Sequence, residues 1–252
     1  MRTIDLNADL GEGYGPWTMG DDAAMLDLVS SANIACGGHA SDPETMFRTL
    51  ALAKARGVVT GAHPSYPDKE GFGRRRLPAT PAEIERFTAA QVGALMGVAA
   101  LVGQPIAYVK PHGALANVAA EEVPVAAAII RAVRAVDPGL ALLAISGTML
   151  ETVARDAGMA VFSEIFADRG YTPVGTLVPR GTAGAMIEDA GAATARLLDF
   201  FASGVMPSVG GAPVALNADS VCIHGDSPHA AAMARHLRAA FTAHGMTIAP
   251  FL

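Results

Sequence analysis

Four short apolar segments of this 252-residue chain each deliver a histidine at their carboxyl end. Apolar runs of this length, rich in β-branched and aromatic residues and bounded by Gly or Pro, are typical of buried strands. In parallel α/β sheets and barrels, the carboxyl ends of the strands carry the chemistry. We therefore expect these side chains to meet at one site. The histidines are His39, His63, His112 and His224.

Strand-like and helix-like segments alternate along the chain in about seven β–α units, which predicts a parallel sheet. That number of units favours a closed or nearly closed α/β barrel. No shift in composition marks a boundary, so we predict a single domain over residues 1–252. Asp5, Asn7 and Asp9 share one face of the first strand, a costly arrangement in an interior unless the groups are paired or used. The predicted helices cover residues 21–29, 43–56, 81–102, 120–136, 147–157, 185–203 and 228–244.

Composition and charge exclude several classes of function. The net charge is −6 and no basic stripe alternates with aromatic residues, so we expect no nucleic-acid partner. No apolar run is long enough to span a bilayer, and the amino terminus has no signal-peptide pattern, so we expect no membrane contact and a cytoplasmic protein. The basic cluster Arg74–Arg76 fits either a solvated loop or an anion-binding corner. Cys36 and Cys222 are predicted to be buried free thiols.

Thirteen polar or charged residues form the candidate site. A carboxylate with two or three histidines can hold a divalent metal, and a carboxylate or histidine alone can act as a general base. Lysine and arginine can hold a carboxylate or phosphate. No HExxH, GxSxG or phosphate-loop pattern selects among these chemistries. The candidates are Asn7, Asp9, Glu12, His39, His63, Lys110, His112, Glu164, Asp168, Arg169, Arg180, His224 and Asp226.

Seven sequence blocks, in order along nearly the whole chain, resemble the LamB/YcsF family. They are DLNADLGEGYG, NIACGGHASDP, GAHPSYPDKEGFGRR, YVKPHGALAN, SEIFADRGY, LVPRG and CIHGDSP. The resemblance implies a distorted TIM-like (β/α)7-type barrel related to glycoside hydrolase and polysaccharide deacetylase barrels. It also implies the A subunit of an ATP-dependent 5-oxoprolinase, which opens 5-oxo-L-proline, a small anionic substrate, to L-glutamate together with subunits B and C.

The implied reaction divides the candidate residues by role. A base or acid would come from Asp9, His63 or His112, with Glu12 and Glu164 orienting the reacting groups. Lys110, Arg169 and Arg180 would hold anions. The other candidates would contact substrate or phosphate, and they are Asn7, His39, Asp168, His224 and Asp226. ATP is the implied co-substrate, and the lack of a phosphate loop fits ATP binding by the partner subunits.

Two other functions remain open from the sequence. The first is a metal-dependent deacetylase or amidohydrolase that acts on a sugar or small amide without ATP, with Asp9, His39 and His63 as metal ligands. The second is a non-catalytic subunit that sequesters an anionic metabolite. Metal dependence without ATP would favour the first function, and tight binding without turnover would favour the second.

Overall fold

Seven parallel strands close into a barrel in the computed structural model, which describes residues 2–225 and 229–252. The strand β1 (Thr3–Leu10) pairs with β2 (Ser31–Ala35) on one side and with β9 (Ser220–His224) on the other, which closes the ring. The predicted α/β barrel is therefore confirmed. The strands between β2 and β9 in the ring are β3 (Val59–His63), β4 (Ile106–Val109), β5 (Ala141–Ile145) and β6 (Val161–Phe166).

Three two-residue strands lie outside the ring. β7 (Val205–Met206) and β8 (Val214–Ala215) form an antiparallel pair between β6 and β9. The sequence analysis missed this pair because two residues carry no periodicity. β10 (Thr247–Ile248) runs parallel to β1.

Helices cover the outside of the barrel, and local capping explains where several begin. Asp42 caps α2 (Pro43–Arg56) by accepting a hydrogen bond from the Thr45 amide at 2.9 Å, and Thr80 and Glu83 form a capping box at α3 (Pro81–Val102). No single helix of the described part is long and apolar enough to cross a membrane; only α4 (Gly113–Ala119) with α5 (Val123–Val136), bent by 117°, passes by length and composition. The helices are α1 (Asp22–Leu26), α2 (Pro43–Arg56), α3 (Pro81–Val102), α4 (Gly113–Ala119), α5 (Val123–Val136), α6 (Met149–Asp156), α7 (Ala190–Ser203) and α8 (Ala230–Ala243).

Three helix boundaries differ from the prediction. The segment predicted as one helix over 120–136 is preceded by α4 and begins only at Val123, because Pro124 belongs in a first helical turn. Helix α7 begins at Ala190 rather than at residue 185, since Asp189 caps it through the Ala192 amide. Helix α1 is shorter than predicted, because it ends at Leu26 rather than at residue 29.

The inward face of β1 is polar, as its alternation predicts. Asp5 is buried and receives hydrogen bonds from the hydroxyls of Ser30 at 2.6 Å, Ser31 at 2.7 Å and Ser220. One layer further along the strand, Asn7 donates to Ser220 Oγ at 2.7 Å. Burial of these groups is tolerated because each is hydrogen-bonded. Buried polar side chains thus follow one another along β1 inside the barrel, toward the carboxyl ends of the strands.

Candidate active site

A cavity of about 300 Å³ lies at the carboxyl ends of the barrel strands. Its size is at the lower end of the range of roughly 300–1,000 Å³ that is typical of small-molecule sites. Four cationic side chains and two carboxylates line it, together with two histidines from strand ends and one from the loop after β4. The predicted residues that line this cavity are Asp9, His63, Lys110, His112, Glu164, Arg169, Arg180 and His224.

Four of the other candidates lie beside or beneath this cavity. Asn7 lies beneath it in the barrel, where it donates to Glu164 Oε1 at 2.9 Å. Asp168 contacts His224. A second cavity of about 200 Å³ is lined by Glu12 and His39. Asp226 lies outside the described residues.

Lys110 is the centre of a buried ionic network. Its Nζ lies 2.9 Å from Asp9 Oδ1 and 2.8 Å from Glu164 Oε1, and all three side chains are at most 5% exposed. Asn33, which was not predicted as a site residue, donates to Asp9 Oδ1 at 2.8 Å. Lys110 Nζ also lies 3.0 Å from the Sγ of Cys222, one of the two predicted buried free thiols. These contacts occupy the donors of the ammonium group.

The charges of this network move the pKa values in different directions. Burial alone would raise the pKa of Asp9, but His63 and Lys110 outweigh it and hold that pKa well below its usual value. Burial raises the pKa of Glu164, which Lys110 only partly offsets. For Lys110, burial opposes the charged form, yet the nearby carboxylates raise its pKa well above normal. Asp9 and Lys110 are therefore a charged pair at neutral pH.

Two backbone carbonyls orient the rings of His63 and His112. A carbonyl oxygen only accepts, so His63 Nδ1–H donates to the carbonyl of Lys110 at 2.7 Å and His112 Nε2–H donates to that of Phe72 at 2.9 Å. The second nitrogens, His63 Nε2 and His112 Nδ1, lie 3.0 Å apart. Phe72 has a φ of 55°, a left-handed conformation that is rare outside glycine, in the long loop after β3. The loop therefore contributes directly to the site.

His39 and Glu12 complete a cluster with these two histidines. His39 Nε2 lies 2.9 Å from Glu12 Oε1, and the rings of His39 and His112 stack with centroids 3.7 Å apart. Burial lowers the pKa of His39 to about 3 and that of His112 well below normal, so both rings are neutral. One ligand atom from each of the four residues lies within 4.8 Å of the others, an arrangement that could hold a metal ion. Of the predicted metal candidates, His39 and His63 belong to this cluster and Asp9 does not.

His224 and Asp168 form a separate pair on the cavity wall. His224 Nδ1 lies 2.8 Å from Asp168 Oδ2. Burial would lower the pKa of His224, but Asp168 outweighs it and raises that pKa above its usual value. The bond to Asp168 occupies Nδ1, so Nε2 is the nitrogen available for proton transfer. The pair has the composition of a general acid–base dyad.

The basic cluster Arg74–Arg76 contains both solvent-exposed arginines and one arginine at the cavity. The exposed side chains of Arg75 and Arg76 form ion pairs with acidic neighbours, whereas Arg74 lines the cavity together with Arg169 and Arg180. The sequence analysis did not select Arg74 as a site residue, and its position in the long loop was the available signal. Burial, followed by the charge of Arg180, lowers the pKa of Arg169 to about 10. An anion between these guanidinium groups would relieve their repulsion.

Comparisons with known proteins agree with the sequence resemblance. A family model described as the LamB/YcsF family matches residues 4–252. A protein of Azorhizobium caulinodans, named as the A subunit of 5-oxoprolinase, is 51% identical over 100% of this chain and 99% of its own length. A lactam utilization protein from Thermus thermophilus superimposes with a TM-score of 0.92 at 42% identity, over 99% of each chain.

Proposed function

Since this chain belongs to the LamB/YcsF family, we propose that it is the A subunit of an ATP-dependent 5-oxoprolinase. The reaction is the opening of 5-oxo-L-proline to L-glutamate, coupled to ATP hydrolysis. The observation that carries the proposal is the convergence of eight predicted residues on one cavity of about 300 Å³. That volume suits a small substrate, and the excess of cationic over anionic side chains suits one that carries a carboxylate.

The three arginines hold the anionic groups in this proposal. Arg74, Arg169 and Arg180 line the cavity, and a guanidinium group binds a carboxylate or phosphate with two parallel hydrogen bonds. The sequence analysis grouped Lys110 with them. We now propose a different role for Lys110, because its ammonium group is already paired with Asp9 and Glu164. It fixes the positions of those two carboxylates and balances their charge.

The chemistry requires an activated amide, because a lactam is a poor electrophile. Transfer of the γ-phosphoryl group of ATP to the amide oxygen, with loss of the amide N–H proton, yields ADP and an imidate phosphate. Water then attacks the former carbonyl carbon and gives up one proton to a base, while the ring nitrogen takes up one proton. The ring C–N bond breaks as an acid protonates the nitrogen again and the new hydroxyl group loses its proton. A second water molecule then hydrolyses the resulting acyl phosphate and releases glutamate and phosphate. The site must therefore supply one proton acceptor, one proton donor and anion-binding groups.

Two pairs of residues can perform the proton transfers. His224 is the proposed donor to the ring nitrogen, because Asp168 raises its pKa and keeps it protonated closer to neutral pH. Asp9 and His63 form the proposed acceptor for the proton of water, with His63 Nε2 lying 3.3 Å from Asp9 Oδ2. The low pKa of Asp9 makes its carboxylate a weak base alone, so its proposed role is to stabilise the positive charge that forms when His63 Nε2 takes the proton. Glu12 orients His39, which it contacts at 2.9 Å.

ATP binding belongs to the partner subunits in this proposal. The chain has no phosphate-loop sequence, and the relatives' name, which specifies an A subunit, implies an enzyme with several subunits. We propose separately encoded subunits B and C as these partners, with the cavity mouth turned toward the partner that carries out phosphorylation. We also propose the cytoplasm as the location, since ATP is supplied there.

The test is an assay of glutamate release from 5-oxoproline with ATP, with and without co-purified subunits B and C. We expect turnover only when all three subunits and ATP are present. Arg180→Gln, which changes the cavity lining, should raise the KM for 5-oxoproline, whereas Arg76→Gln in the neighbouring exposed ion pair should leave it unchanged. The absence of glutamate release from the complete complex would refute the proposal.

The cluster of Glu12 with three histidines favours one second candidate function, a metal-dependent amide hydrolase that needs no ATP. The two functions differ in a simple measurement. Release of product by this chain alone, abolished by a chelator and indifferent to ATP, would select the hydrolase. A strict requirement for ATP would select the oxoprolinase.

A further inference from the structure

We infer that Glu12, His39, His63 and His112 bind one divalent transition-metal ion, for which Zn²⁺ is the best-matched candidate. Their ligand atoms all lie within 4.8 Å of one another, and all four side chains are buried. A tetrahedral zinc ion with bonds of about 2.0–2.1 Å keeps its donors roughly 3.3–3.4 Å apart. The separations along the cluster are 2.9 Å from His39 Nε2 to Glu12 Oε1, 3.8 Å from Glu12 Oε1 to His112 Nδ1, and 3.0 Å from His112 Nδ1 to His63 Nε2. Two of these distances are shorter than the donor spacing of a tetrahedral zinc site, and one is longer.

The orientation of two rings is the second observation. Histidines that bind metals usually donate the N–H of the other ring nitrogen to a carbonyl or carboxylate, which leaves the ligating nitrogen with a lone pair. His63 and His112 each do this, through the carbonyls of Lys110 and Phe72. Two lone pairs therefore face each other at 3.0 Å, an arrangement that is repulsive unless a cation lies between them.

A single shared proton does not account for the whole cluster. A proton can bridge His63 and His112, but it joins only two atoms, whereas four ligand atoms converge here. Glu12 brings the negative charge that a divalent ion requires, and it contacts His39, the third imidazole of the cluster. A metal ion uses all four groups at once.

The donor set also restricts the identity of the ion. Three imidazoles and one carboxylate suit Zn²⁺ and its neighbours in the first transition series, whereas Mg²⁺ and Ca²⁺ prefer oxygen ligands. His63 and His112 line the main cavity, while Glu12 and His39 line the second cavity of about 200 Å³. The ion would lie in the wall between the two cavities. There it would supply Lewis-acid charge close to the substrate.

Metal binding and a base role for His63 exclude each other, because both use the Nε2 lone pair. If the ion binds, His63 becomes a ligand and its Nε2, which lies 3.3 Å from Asp9 Oδ2, can no longer accept the proton of water. A metal titration thus distinguishes the two roles of His63 without an activity assay.

The test uses the full chain after chelator treatment and dialysis. Zn²⁺ affinity is measured by competition with a chromogenic chelator, Co²⁺ is added to record its visible absorption, and thermal unfolding is followed with and without Zn²⁺. We expect one ion per chain, an intense tetrahedral Co²⁺ spectrum and a rise in Tm with Zn²⁺. Glu12→Gln and His112→Gln should each weaken Zn²⁺ binding by about a hundredfold or more, since each removes a direct ligand.

The matched control is the double variant His236→Gln with His244→Gln, which removes two exposed histidines far from the cluster in sequence and should bind Zn²⁺ as tightly as the wild type. Equal affinity in the ligand variants and the wild type would overturn the inference. So would a wild-type chain without a Co²⁺ spectrum or a Zn²⁺-dependent Tm, a result that needs no variant to fold. Glutamate release by the chelator-treated complex would support the proposed function and show that the reaction needs no metal. This measurement therefore tests the proposed function and the metal site separately.

Discussion

Asp5, at the amino end of the barrel interior, is expected to make folding stability depend on pH in a direction opposite to that of most carboxylates. The side chain is 1% exposed and accepts hydrogen bonds from three serine hydroxyls. Burial nevertheless dominates and raises its pKa to about 6. The folded protein therefore holds a proton on Asp5 at pH values where the unfolded chain has lost it.

The magnitude follows from the two pKa values. A rise of the Asp5 pKa from 3.8 to about 6 corresponds to about 3 kcal/mol, since one pKa unit is worth roughly 1.4 kcal/mol. A group whose pKa is raised on folding contributes stability that is fully present below the unfolded pKa and is lost as the pH rises through the folded pKa. The contribution of Asp5 should therefore decline between pH 3.8 and about 6.

The perturbation is Asp5→Asn, which keeps the size and polarity of the side chain but cannot titrate. Free energies of unfolding in urea are measured for wild type and variant at several pH values from about 4.5 to 7.5, across the range in which linkage theory places the loss. The wild-type value should fall relative to the variant by most of the predicted 3 kcal/mol over this range. Asp156→Asn, at an exposed position in α6, is the control and should show no such trend. A difference between wild type and Asp5→Asn that stays constant with pH would refute the reasoning.

Four further predictions concern the site, the barrel and helix α3. Lys110→Met leaves two buried carboxylates unpaired, so it should abolish turnover of the reconstituted complex and lower the free energy of unfolding in urea by about 3–5 kcal/mol. Asp168→Asn removes the charge that raises the pKa of His224, so imidazole NMR titration should give a lower His224 pKa; an unchanged value would contradict the pairing. In Gly61→Ala the new Cβ would clash with the ring of the buried Tyr108 in β4, which should lower the free energy of unfolding in urea by about 1–3 kcal/mol. Gly93→Ala, in α3 with open space around it, should instead stabilise the protein by up to about 1 kcal/mol.

The fold was predictable because its signals are local. Most barrel strands are apolar runs, and several helices begin at a capping residue that can be read directly, as at Asp42 and Thr80. The errors also have local causes. Pro124 and Asp189 mark the true starts of α5 and α7, and both signals were present but were outweighed by the helix-favouring residues before them, such as Glu121, Met186 and Glu188. Only the short β7–β8 pair lacked any usable signal.

The sequence identified residues of the candidate site, but not which of them contact each other. Strand ends identified the residues, because parallel strands place their carboxyl ends together. Which carboxylate contacts which cation depends on strand register and side-chain reach, and neither follows from one sequence. Glu164 reaches Lys110 from a strand that is two positions away in the barrel. Glu12 rather than Asp9 joins the histidine cluster, because it lies in the loop beyond β1.

Asp9 connects the two halves of the site. Its Oδ1 lies 2.9 Å from Lys110 Nζ, and its Oδ2 lies 3.3 Å from His63 Nε2. One carboxylate therefore contacts both Lys110, in the buried ionic network, and His63, in the histidine cluster. Because a buried carboxylate is stable as an anion only when such partners are present, each half depends on the other for its charge state. A cation in the histidine cluster would therefore share the negative charge of Asp9 with Lys110.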